Sequence, residues 1–134
     1  VMSSLQESRF MSTFHAVVWM DQSEAHVVMF DREHAEAQRI KSRSHHKHQG
    51  KADDLTAFFA DVAQALADTR EVLLAGPGLV RNQFRDWAAK HHAAVADVVV
   101  DSVAADHPTD AQLVAMARQY FKKFDNMAAD PSVA

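Results

Sequence analysis

The stretch from Phe14 to Met20 constrains this chain most: Phe14, Ala16, Val17, Val18, Trp19 and Met20 leave it almost without a polar position. A strand with one wet face alternates apolar and polar residues, whereas a near-continuous run is what a strand covered on both faces requires. Asp21-Gln22-Ser23 closes the run as a turn, and Ala25 to Phe30 supplies a second, Val-rich strand. Asp31-Arg32 turns the chain again. From Ala35 to Lys41 the pattern alternates, with Ala35, Ala37, Arg39 and Lys41 on one face and Glu36, Gln38 and Ile40 on the other. That alternation predicts a third, more exposed strand and completes a three-stranded antiparallel meander.

The period then changes. A helix is predicted from about Ala52 to Asp68, where Leu55, Phe58, Phe59, Val62 and Leu66 form one stripe and Asp53 and Asp54 suit the positive end of the helix dipole. Glu71 to Ala75 reads as a short buried strand, and Gly76-Pro77-Gly78 turns sharply into a helix from about Leu79 to His92. Val95 to Val103 reads as a further strand. Thr109, with Gln112 three residues on, is a capping box for a last helix carrying Leu113, Met116, Ala117, Tyr120, Phe121 and Phe124 on its buried side. The order β-β-β-α-β-α-β-α predicts an α/β fold: a mixed five-stranded sheet, antiparallel meander followed by β-α-β-α units, flanked by three helices. Residues 1–12 read as a flexible N-terminal extension, 13–125 as a single domain and 126–134 as a C-terminal tail.

Charge is unevenly spread. The net charge is −4, yet Arg39, Lys41, Arg43, Lys47 and Lys51 lie between Gln38 and Ala52 with no acid among them, beside His45, His46 and His48. Such a stretch suits a phosphate backbone, while the acidic remainder argues against a general polyanion binder. With no cysteine in the chain, thiolate catalysis and Cys-ligated zinc are excluded. No apolar run approaches the ~20 residues that span a bilayer, and the first residues carry no signal-peptide pattern, so the expected compartment is the cytoplasm.

Three segments carry a resemblance to a known family: the meander HAVVWMDQSEAHVVMFDREHAEAQRI, the basic loop KSRSHHKHQGK between the third strand and the first long helix, and EVLLAGPGLVRNQF, where a strand ends in Gly76-Pro77-Gly78 and Phe84 follows in the next helix. In order and spacing they resemble the middle domain of archaeal and eukaryotic peptide-chain release factors and of pelota, the ribosome-rescue relative, over roughly His15 to Phe124. The ending DHPTDAQLVAMARQYF is similar to small bacterial proteins of this superfamily described as translational machinery proteins. The resemblance implies a fold related in outline to ribonuclease H. Release factors hold Gly-Gly-Gln in the basic loop; here the loop reads His45-His46-Lys47-His48-Gln49-Gly50, without paired glycines. The resemblance therefore implies a module that binds RNA or the ribosome without hydrolysing peptidyl-tRNA, and no cofactor.

The candidate RNA- or ribosome-binding residues are Arg39, Lys41, Arg43, His45, His46, Lys47, His48 and Lys51, extended by Arg81 and Arg85, with ribosomal or transfer RNA as partner. Gly76, Pro77 and Gly78 are assigned a structural turn. His45, His46 and His48 are weak candidates for a metal, and none is expected. A second reading is a metal-dependent nuclease using Asp21 and Asp101 at the ends of neighbouring strands. A third is a protein-interaction module meeting an acidic partner. Asp106, His107 and Ser102 invite a relay that no nucleophile-elbow motif supports. His15 and His26 read as satisfied strand histidines, and His91 and His92 as complements to a helix C-terminus.

Overall fold

A computed structural model describes residues 15–31, 33–42 and 53–133, with side chains over 15–31, 33–42 and 55–122. The elements are β1 (His15–Met20), β2 (Glu24–Phe30), β3 (Ala35–Lys41), α1 (Asp53–Ala65), β4 (Glu71–Gly76), α2 (Val80–His91), α3 (Ala93–Ala96), β5 (Val99–Ala104) and α4 (Asp110–Val133). They form a mixed five-stranded sheet of order β3-β2-β1-β4-β5. β1 pairs antiparallel with β2 and parallel with β4, and β4 pairs parallel with β5. The apolar run is the central strand, and Ala16 to Met20 are buried on both faces.

One face packs α1 and α2 over Val18, Met20, Val27 and Leu74, with Phe58, Val62, Leu66 and Phe84 filling the layer. The other packs α4 over Val17, Trp19, Phe30 and Leu73 through Leu113, Ala117 and Phe121. Gly76 ends β4 at φ +155, and a Cβ there would lie 2.3 Å from the Met20 carbonyl oxygen. Only glycine lets the chain leave the sheet this close to β1. The predicted capping box is present: Gln112 N–H donates to Thr109 Oγ1 at 3.1 Å, and Thr109 N–H donates to Gln112 Oε1 at 2.8 Å.

Three expectations are corrected. The last strand begins at Val99 rather than Val95, because Ala93–Ala96 winds into a fourth, short helix. Its alanines favour that turn, and it buries Val95 against the layer under α1 and α2. The final helix continues through 126–133, the segment read as a tail; no glycine follows Gly78 to end it, and Met127, Ala128 and Ala129 are good helix formers. Asp21 and Asp101 do not sit on neighbouring strand ends: β4 lies between β1 and β5, and Asp101 is level with Leu73 in the middle of the sheet.

Candidate nucleic-acid interface

β1, β3, β4 and β5 all run in one direction, so the segments that follow them emerge at one end of the sheet. That end gathers the Asp21–Ser23 turn, Ser42, the Gly76–Leu79 turn and residues 105–109. α2 and α4 each begin there, directly after the Gly76–Leu79 turn and residues 105–109, which aims their N-termini the same way. In open α/β sheets this is the end that carries ligand sites.

The structure brings two of the expected cations to it. Arg39 and Lys41 share one face of β3 at the edge of the sheet and are exposed. Glu24 stands opposite Lys41 across the strands, and its Oε1 lies 3.8 Å from Arg39 Nε. Ser42 is buried, and its N–H donates to the Ser23 carbonyl at 2.8 Å, which fixes where the chain leaves the sheet. An open groove of about 420 Å³ lies between β3 and α1, lined by Arg39, Lys41, Asp61 and Gln64. Arg43, His45, His46, Lys47, His48 and Lys51 fall outside the described residues.

Arg81 is engaged differently. Its guanidinium donates to the carbonyls of Gly76, at 2.8 Å, and Gly78. It pins the turn from which Leu79 projects, 69% exposed, as the one large exposed hydrophobic among the described residues. Arg85 lies one helical turn further along α2 and is half-buried. α2 packs on β1, β4 and β5 and α1 on β2 and β3, so Arg81 and Arg85 stand across the sheet from Arg39 and Lys41.

The two acids of the nuclease reading are occupied and apart. Asp21 Oδ1 accepts from the N–H of Ser23 and of Glu24 and from Ser23 Oγ, at 2.8, 3.0 and 3.0 Å. Partial burial pushes this carboxyl up, but those three bonds and the charge of His107 outweigh it and hold Asp21 below the ordinary value of 3.8. Asp101 accepts from Tyr120 Oη at 3.0 Å and from Ser102 N–H at 2.8 Å. Burial first, then that bond and the charge of Asp101, raise the Tyr120 phenol. Strand rise and spacing put the two acids on the order of 15 Å apart, too far to share ions ~4 Å from each other. Among the described residues no three His, Asp or Glu side chains are grouped to hold a metal. Ser102 Oγ is hydrogen-bonded to Asn82 at 2.9 Å on the α2 side, while His107 packs at a tilt against Trp19 on the α4 side, so no relay forms.

The residues alone gave no notice of a corner of tilted, packed rings on the α4 face. Trp19 lies between His26 and His107, with ring centroids 5.4 and 4.4 Å away, and its indole N–H donates to the carbonyls of Ala105 and Asp106. His26 places its two ring nitrogens 3.2 Å from Asp110 Oδ1 and 3.3 Å from Glu24 Oε2. The signal was present in the turn, since pairing Asp21 with Glu24 around Gln22-Ser23 sets Trp19 opposite His26. His15, the other strand histidine, lies 3.0 Å from Glu71 Oε1.

No protein-family model and no curated protein matches the sequence. Solved structures do match its fold. Pelota from Archaeoglobus fulgidus superposes with a TM-score of 0.61 at 15% identity, covering 88% of this chain and 35% of that one. Dom34 from S. cerevisiae, a translation termination-like factor involved in RNA quality control pathways and interacting with Hbs1, gives 0.59 at 13% identity over 98% of this chain and 42% of its own. The archaeal translation termination factor aRF1 gives 0.54 at 14% identity over 97% of this chain and 45% of its own. The chain thus spans less than half the length of each. Its fold is that of a pelota and release-factor middle domain, as the sequence resemblance implied. Among the described residues no helix is long and apolar enough to cross a membrane.

Proposed function

We propose that this domain is a non-catalytic RNA- or ribosome-binding module of the translation release and rescue type. The observation that carries the reading is the superposition on Pelota, which takes in 88% of this chain. Two features of the chain support it. Arg39 and Lys41 stand exposed where segment 43–52 leaves the sheet, and that segment adds Arg43, Lys47 and Lys51 with His45, His46 and His48. The three glycines of the chain, Gly50, Gly76 and Gly78, include no adjacent pair, so the Gly-Gly-Gln element of hydrolysing release factors has no counterpart in these 134 residues. The basic residues bind phosphates, with histidines stacking on unpaired bases, and Arg85 offers a second contact across the sheet from them. Arg81 holds the Gly76–Leu79 turn in shape.

Co-sedimentation with ribosomes and separated subunits tests this. The expected result is association that falls steeply between low and raised salt, because each phosphate contact releases counterions. Replacing Arg43, Lys47 and Lys51 together by Ala should remove most of that association and leave the melting temperature nearly unchanged. Association at full strength in the triple variant sinks the assignment of the basic segment. Absence of binding to any ribosomal particle sinks the translation reading and leaves an acidic protein partner as the next candidate.

A further inference from the structure

The two edges of the sheet are finished differently. β5 breaks register with β4 between Val72 and Leu73, and four of its six residues are half-buried. β3 keeps an unbroken register with β2 from Ala35 to Lys41, contains no Pro or Gly, and is exposed at every residue but Ile40, which is half-buried. No described strand pairs with its outer side. A straight edge of this kind is a template for another strand, and bulges such as that in β5 are a common way of preventing it.

The backbone phase shows what that edge offers. Asp31 N–H donates to the His34 carbonyl at 2.9 Å and Ser42 N–H to the Ser23 carbonyl at 2.8 Å. In an antiparallel ladder hydrogen-bonded pairs alternate, so the even-numbered residues of β3 bond to β2 and the odd-numbered ones face away. Ala35, Ala37, Arg39 and Lys41 therefore present their N–H and C=O groups outward.

Charge selects the strand that fits. Glu33, in the turn entering β3, and Glu36 make its first half acidic; Arg39 and Lys41 make its second half basic. A parallel strand of the same sequence would set like charges side by side. An antiparallel one sets the acidic half against the basic half. With Ala37 opposite itself, Ala35 faces Arg39 and Glu33 comes alongside Lys41, twice by symmetry, and every hydrogen-bonded pair joins two outward-facing residues. We infer that β3 is a self-pairing edge, joining two copies of this chain into one continuous ten-stranded sheet about a two-fold axis midway between the two facing Ala37 residues.

Sedimentation velocity of the full chain over a range of concentrations is the test, read together with amide exchange at Ala35, Ala37 and Arg39. The expected result is a reversible species with the mass of two chains, in which those amides gain protection as concentration rises. Ala37→Pro is the decisive variant: its N–H is not used by β2, so the monomer keeps its circular dichroism, while dimer affinity falls at least about tenfold. Lys41→Glu should weaken the pair several-fold, and Glu33→Lys in the same chain should recover it, because the sign swap restores opposite charges across the axis. A monomer at every concentration overturns the inference. So does a dimer indifferent to Ala37→Pro, which would place the contact elsewhere.

Discussion

Under α1 and α2 the sheet meets an apolar layer in which Phe59 packs edge-on against Phe84 at 5.6 Å and Phe58 lies 6.0 Å from Phe59. Under α4 the layer is interrupted by polar groups that each find a partner: the Trp19 indole on two carbonyls, His26 between two carboxylates, Asp101 beneath Tyr120, His15 beside Glu71. The first layer can be satisfied by volume alone. The second requires particular donors to meet particular acceptors, which costs conformational freedom and returns less per group. The contrast teaches that one face fixes the fold by packing, while the other ties the Asp21–Ser23 and 105–109 strand-end segments to it by specific polar contacts.

The largest test of this contrast is Phe84→Ala. Phe84 is fully buried and touches both Phe59 and Trp87. The substitution should cost about 4 kcal/mol in chemical denaturation, enough to threaten folding of a domain this small. Trp19→Phe asks the same of the other face: it keeps most of the ring but strands the Ala105 and Asp106 carbonyls, and should cost about 1.5 kcal/mol. A Trp19→Phe cost equal to that of Phe84→Ala would mean that the two layers do not differ in kind.

The smallest effect is electrostatic. Because Asp21 sits below its ordinary pKa in the folded protein, its charged form contributes stability that is fully present above 3.8 and is lost as pH falls through the folded value. Asp21→Asn keeps an oxygen for the turn and removes the charge. Its unfolding free energy should therefore vary less with pH than that of the parent below pH 3.8. Parallel pH profiles for the two proteins would assign the acid sensitivity to other carboxylates.

Much of this was legible in local pattern. The run at 15–20, the stripe Phe58-Phe59-Val62-Leu66 and the Thr109–Gln112 capping box each act over a turn or a strand, the range that periodicity reports. The short α3 was missed because Val95 reads equally well as the start of a strand. The nuclease pair was misplaced because chain order alone did not reveal that β4 inserts between β1 and β5. Arg81 was grouped with the basic residues because composition does not distinguish a guanidinium that pins a turn from one that faces solvent.

By itself, then, the sequence determined which segments become strands and helices, that the first strand is covered on both faces, and that the basic residues concentrate next to β3. Those outcomes follow from side-chain period and residue chemistry, which act locally. The tertiary structure alone decided the strand order, the gathering of two helix starts at one end of the sheet, the packing of His26 and His107 against Trp19, and the open outward ladder of β3. Each of these depends on groups distant in the chain meeting through burial and hydrogen bonding, and no local pattern encodes which of several packings satisfies them all.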